Sequence, residues 1–145
     1  MDVRIINPSQ TYDLRWRVLW PHKNVLNECF IDIDNEPGAF HLAVFDDKRI
    51  VSIGSFFRAD SPKLEGENLY RLRAMATDPE YRGKGCGKLL LENAFDILKE
   101  KKCTSLWCDA RVVAFGFYRS LGFKYLEEAY MIPIIGEHYF MWKPL

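Results

Sequence analysis

Seven consecutive residues gather chemistry that an ordinary turn does not need: Arg82-Gly83-Lys84-Gly85-Cys86-Gly87-Lys88. Glycine accepts positive φ and leaves the backbone unshielded, so such a loop can turn several amide N–H groups toward one point. Leu89, Leu90, Ala94, Phe95 and Leu98 follow at helical spacing, which places the loop at a helix N-terminus. The unpaired N–H groups and partial positive charge there favour an anion. Arg82, Lys84 and Lys88 add cationic donors. Together these features describe a pyrophosphate cradle; the plain alternative is a glycine turn flanked by solvated lysines. Two familiar nucleotide loops do not fit. A Walker loop ending at Gly87-Lys88 needs glycine where Arg82 stands and Ser or Thr where Leu89 stands. A dinucleotide fingerprint needs G-x-G-x-x-G after a first strand, whereas the spacing here is G-x-G-x-G, deep in the chain.

Other reactive side chains are scattered. Cys29, Cys86, Cys103 and Cys108 include no C-x-x-C pair, and His22, His41 and His138 lie far apart with no H-E-x-x-H. Buried free thiols and no metal are expected.

The elements that must position the loop are legible from periodicity. Ile5 and Ile6 start an edge strand, and Thr11 to Trp20 reads as a helix with Leu14, Val18 and Leu19 inward and Arg15 and Arg17 outward. Pro21 stops it, and His22 to Gly38 is irregular or a short second helix. Strands are expected at Phe40 to Phe45, Ile50 to Phe57 and Tyr70 to Thr77, the first two joined by a turn at Asp46-Asp47-Lys48. After the loop and its helix come a strand at Thr104 to Cys108, a helix at Val112 to Leu121 capped by Gly122, and strands at Phe123 to Ala129 and His138 to Trp142. This is an α/β (α+β) chain with one central mixed sheet flanked by helices.

The chain has 145 residues, 48% apolar and 28% charged types, and suits one domain over 1–145. Twenty Lys+Arg balance twenty Asp+Glu, so no general nucleic-acid footprint is expected. No apolar run reaches the roughly 20 residues that span a bilayer, and the N-terminus does not read as a secretory signal. A cytoplasmic protein without membrane partners is expected.

With these residues in view, a family resemblance becomes specific. Arg82-x-x-Gly85-x-Gly87 resembles the acyl-CoA pyrophosphate motif of the GNAT superfamily of acyl-CoA-dependent N-acyltransferases. Leu72 to Tyr81 resembles that family's fourth strand and its exit, and Ala110-Arg111-x-x-Ala114-x-x-Phe117-Tyr118-x-x-Leu121-Gly122-Phe123 its late helix-to-strand signature. Ile135 to Met141 is similar to the ending of one poorly characterised subgroup. The resemblance implies a sheet splayed between its fourth and fifth strands, with acyl-CoA, most simply acetyl-CoA, as cosubstrate in the gap. Met75, Ala76 and Thr77 would hold the pantetheine arm and thioester, and Arg82, Gly83, Lys84, Gly85, Cys86, Gly87 and Lys88 the pyrophosphate. Tyr118 would meet the CoA sulfur and protonate the leaving thiolate. A catalytically weak CoA-binding sensor or interaction module is the alternative.

The acceptor side is less defined. The resemblance implies a small-molecule amine, with peptide or protein amines open and a homodimer open. Some relatives place a glutamate base where Arg71 stands, and an arginine cannot serve. Arg71 and Arg73 share one strand face; they either form a cationic rim for an acidic substrate or pair with local carboxylates. Asp109 and His138 are the candidate bases, and Asp109 could instead hold the acceptor ammonium or fix Arg111, which replaces an asparagine of many relatives. Trp20, Phe30, Asp32, His41 and Tyr130 are candidates for the acceptor pocket.

Overall fold

In the computed structural model, which describes residues 1–145, the strands form one eight-stranded sheet. β1 (Asp2–Ile6) leads to a helical segment in three parts: a 3-10 turn (Pro8–Thr11), α1 (Tyr12–Leu14) and a π turn (Arg15–Leu19). Then follow β2 (Phe40–Asp46), β3 (Arg49–Arg58), β4 (Tyr70–Thr77), α2 (Cys86–Glu100), β5 (Ser105–Arg111), α3 (Phe115–Ser120), β6 (Lys124–Tyr125), β7 (Tyr130–Ile132) and β8 (Gly136–Pro144). The spatial order is β1-β2-β3-β4-β5-β8-β6, with β7 also on β8. Only β4 and β5 run parallel; every other pairing is antiparallel.

Alternation assigns the two faces. Phe40, Leu42 and Val44 of β2 pack toward Leu90, Leu91, Ala94, Phe95 and Leu98 of α2 in the main core. Ala43 and Phe45 point the opposite way, against Leu14, Val18 and Leu19 of the N-terminal helical segment. Each fully buried leucine contributes about 1.5–3 kcal/mol. No helix is long and apolar enough to cross a membrane.

Two expectations need correction. Arg15, expected on the outer face of the N-terminal helix, is 0% exposed. Its guanidinium donates to both oxygens of Asp34 (2.8 Å each), to the Cys29 carbonyl and to Ser55 Oγ. The periodicity of its helix could not reveal partners that lie 19 and 40 residues downstream. The strand expected at Phe123 to Ala129 is only Lys124–Tyr125, and Tyr130–Ile132 is a separate strand. Both add to the long β8, which recruits short partners on its outer edge.

His41 belongs to the Arg15 network. Its Nε2 donates to the Asp34 carbonyl at 3.0 Å, so its Nδ1, 2.8 Å from Ser55 Oγ, accepts from that hydroxyl. The ring is 3% exposed, and burial disfavours its charged form. His41 is thus a core histidine and not part of an acceptor pocket. Asp34 also accepts from the Ile31 amide, so the network pins the segment before β2 to β2 and β3.

Replacing Arg15 with Met strands the Asp34 carboxylate and should lower unfolding free energy by about 3–5 kcal/mol, read by denaturant titration; a loss under 1 kcal/mol contradicts the network's role. Burial holds His41 below its ordinary value, against the opposing pull of Asp34. The unfolded chain then takes up the proton first as pH falls. Stability should be full above about pH 6.5 and decline below it. Thermal unfolding at pH 7.5 and 5.5 should show a smaller acid loss in His41→Gln than in wild type; equal losses would contradict this assignment.

Candidate active site

The site begins where the sheet parts. β4 and β5 pair only at Tyr70–Leu106 and Arg71–Trp107. The break follows from an irregularity on the other edge of β4: its register with β3 shifts between Ile53 and Ser55, opposite Ala74 and Met75. Ala74 carries φ +53, left-handed backbone that costs a non-glycine residue roughly 1–2 kcal/mol. A bulge bends its strand and raises local twist, and β4 leaves β5 beyond this hinge. β5 stays paired with β8 along its whole length.

The gap is a slot of about 300 Å³, whose walls include Arg71 to Met75 from β4, Cys108 to Arg111 from β5, and Tyr118 and His138. The Asp78 amide donates to Val51 of β3 at 2.8 Å. By alternation the backbone groups of Thr77 face away from β3, toward the open side. Ala76 does not: its carbonyl accepts from Ser52 Oγ and its side chain is buried under the N-terminal helix. Ala76 therefore drops out of the expected pantetheine contacts.

The glycine loop connects β4 to α2, and its Gly87 lies against Met75, which lines the slot. None of the amides from Gly83 to Lys88 donates to a protein acceptor; the first bond of the helix runs from the Leu89 amide to the Gly85 carbonyl. Gly83 (φ +77) and Gly85 (φ +81) are left-handed, and a Cβ on either would meet nothing within 4 Å. Unpaired donors, open space and the exposed Lys84 and Lys88 fit an anionic group such as pyrophosphate. Cys86 contributes only its backbone, because its side chain is buried. Gly87 differs from its neighbours: a Cβ there would lie 3.0 Å from Phe117 and 3.2 Å from Met75, so its smallness serves packing.

Tyr118 is 7% exposed and lines the slot. Its hydroxyl finds only Met75 Sδ, at 3.8 Å, a weak acceptor. Burial, helped by nearby Cys108, pushes its ionisation well above the ordinary phenol range.

Asp109 is already engaged. Arg71 Nη2 donates to Oδ2 at 2.7 Å, and the Tyr130 hydroxyl donates to Oδ1. Arg71 therefore pairs with a carboxylate and forms no free rim, and Asp109 holds no acceptor ammonium without breaking that pair. Tyr130 does not line the slot and instead buttresses Asp109 from behind. His138 sits in the slot with Nδ1 2.7 Å from the Gly136 carbonyl. A carbonyl only accepts, so Nδ1 donates, and Nε2 is the ring nitrogen left without a protein partner.

Beyond the slot, sharing Leu19, Trp20, Arg73, Arg111 and Ile135 with it, opens a second cavity of about 670 Å³. The acceptor candidates Trp20, Phe30, Asp32 and Arg73 line it, together with Arg111. The sequence reading missed Lys23, Ile33 and the wall from Pro133 to Ile135. An apolar run in a turn, with Ile134 and Ile135 exposed, was the available signal.

The model of the acetyltransferase (GNAT) family matches residues 8–123. Over 145 residues the chain is 39% identical to an uncharacterized N-acetyltransferase, YitI, of Bacillus subtilis, covering all of this chain and 97% of that one. Among solved structures it is similar to an aminoglycoside 6'-N-acetyltransferase complexed with coenzyme A, with a TM-score of 0.77 at 13% identity over 99% of this chain and 97% of that one. It is also similar to the ribosomal-protein-S18-alanine N-acetyltransferase of Escherichia coli, with a TM-score of 0.74 at 18% identity over 99% and 92%. At those identities the structural likeness shows a shared fold.

The placement of Tyr118 has a spectroscopic consequence. Near-ultraviolet titration should show Tyr118 still protonated through the ordinary phenol range, about pH 10. Tyr118→Phe should then leave the ionisation amplitude below that pH unchanged. A loss of one tyrosine's share would contradict the buried, unpaired hydroxyl.

Proposed function

Because the chain belongs to the acetyltransferase (GNAT) family, we propose that it moves an acetyl group from acetyl-CoA to a small primary amine by direct attack, with both reactants bound and no acyl-enzyme. The observation that supports this most strongly is the cluster of unpaired amides from Gly83 to Lys88 at the start of α2, a short turn beyond the open edge of β4 at Thr77. An extended amide-bearing arm can add to such an edge as a strand would, with its pyrophosphate at the helix start. The acceptor cavity has the volume of a small-molecule site, which favours a small amine over a protein one. Four free, buried cysteines suit a reducing, cytoplasmic setting.

Acetyl-CoA supplies an activated acyl group: the amine nitrogen bonds to the acyl carbon, the C–S bond breaks, and the sulfur leaves as a thiolate that needs one proton. Tyr118 is placed to give it. Its hydroxyl is protonated, withdrawn from water and without a strong acceptor, so a developing thiolate is its best partner. The amine must lose a proton, and Nε2 of His138 is the free acceptor in the slot. Asp109 takes the supporting role, fixing Arg71 and Tyr130 beside the reacting groups. Holding the two reactants together supplies the rest, by converting a bimolecular encounter into an oriented one.

Tyr118→Phe keeps the ring and removes the proton. Turnover should fall about 10²–10⁴-fold with acetyl-CoA affinity little changed; unchanged turnover where chemistry limits the rate returns Tyr118 to the core. Gly85→Val meets no protein atom but forces a β-branched residue into left-handed backbone, so it alters both the space and the shape of the cradle. It should weaken acetyl-CoA binding at least tenfold (about 1.4 kcal/mol) in calorimetric titration, with folding retained. Equal affinity removes the loop assignment. Gly87 is unsuited to this test, since its substituent would meet Phe117 and Met75.

A further inference from the structure

The arginines of the chain fall into two groups. Arg4, Arg15, Arg17, Arg49 and Arg71 each pair with a carboxylate, and Arg119 donates to the Phe123 carbonyl. Arg58, Arg73, Arg82 and Arg111 have no partner, and of these Arg58, Arg82 and Arg111 are exposed to water. Arg73 alone is both unpaired and half-buried. It stands on β4 at the junction of the slot and the larger cavity, and Arg111 on β5 lines both spaces as well. An unpaired cation withdrawn from water is costly unless something completes it. Burial and the neighbouring Arg71 and Arg15 charges already depress its proton affinity.

The surroundings have the same sign. Lys23, Arg73 and Arg111 face the larger cavity against the single carboxylate of Asp32, in a chain whose charges otherwise balance. The slot's own carboxylate, Asp109, is matched by Arg71 and occupied by Tyr130, so no free acid there competes for Arg73 or waits for an ammonium. We propose that the acceptor is an anionic primary amine, its carboxylate or phosphate held by Arg73 and Arg111 a few bonds from the reacting nitrogen. The proximity follows from position: Arg73 and Arg111 line the same slot as Tyr118 and His138. The apolar body of the substrate then points into the larger cavity, along Trp20, Phe30, Ile33 and Ile135. This inference rests on the acyl-transfer reading above and keeps its bond changes, N–C formed and C–S broken, with the amine proton passing to His138 and the thiolate protonated by Tyr118.

The test is a matched panel with acetyl-CoA, read as kcat/KM: phenylalanine against its amide and phenethylamine, and phosphoethanolamine against ethanolamine. The two pairs separate carboxylate from phosphate as the preferred anion. A charge-assisted contact predicts that the anionic member of at least one set exceeds its neutral partner by roughly 10–100-fold. Arg73→Gln should collapse that ratio toward one through a raised KM. If that variant fails to fold, Arg111→Gln, at an exposed position, should reduce the same ratio. Neutral amines equal to or better than anionic ones overturn the inference and leave acyl transfer standing, as does a variant that lowers both members alike. Acetyl-CoA bound with no anionic amine turned over also overturns it. Absence of acetyl-CoA binding in calorimetry overturns the acyl-transfer reading itself.

Discussion

β4 and β5 are bonded to each other over two residues and then separate, and Arg71, Arg73, Asp109, Tyr118 and His138 all line that separation. A parallel sheet ordinarily keeps its ladder, because unpaired backbone groups in a protein interior are costly. Here the ladder is given up on purpose of geometry: the Ala74 bulge turns β4 away while β8 holds β5. The sheet becomes two half-sheets hinged at Arg71 and Trp107, with α2 packed beneath the first. Met75 and Tyr118 line the gap, and the glycine loop abuts it through Gly87, which packs on Met75. The bulge also sets Met75 against Tyr118, so the strand's bend and the position of the proposed acid are one structural fact.

The far wall of the acceptor cavity has a different origin. The segment between Trp20 and Phe40 has little regular structure beyond a turn at Leu26–Glu28. It is held by the Arg15–Asp34 pair, through the Cys29 carbonyl and the Ile31 amide. A buried ion pair is a poor source of net stability, but it fixes geometry, and here it ties the cavity wall to β3 through Ser55. His41 closes the circuit as acceptor and donor.

Much of this was legible in the sequence where local rules govern. The strand Tyr70–Thr77 has the expected bounds, and the glycine loop and following helix stand where periodicity placed them. Long-range pairings were not legible. Nothing near Arg15 in the chain signals Asp34 or Ser55, so an inward arginine read as a surface one. His41 alternates correctly with Leu42 but faces the polar circuit, not the cavity. Arg71 and Arg73 share a strand face, yet only Arg71 meets a carboxylate, because Asp109 pairs across the last bonded step before the strands part. Tyr130 read as a pocket residue because its distance from Asp109 depends on how β7 folds back on β8. The short β6 and β7 were blurred because both borrow their hydrogen bonds from β8 rather than from each other.

The central claim is that the open edge of β4 and the loop beyond it receive one extended ligand. Residue-resolved amide hydrogen exchange, with and without saturating acetyl-CoA, tests this without depending on the acceptor. The account predicts slowed exchange at Thr77 and across Gly83 to Lys88, whose amides have no protein acceptor, with little change in β2, whose amides are already in the ladder. Acetyl-CoA bound with exchange unchanged at Thr77 and the loop, or protection confined to other parts of the chain, would contradict it.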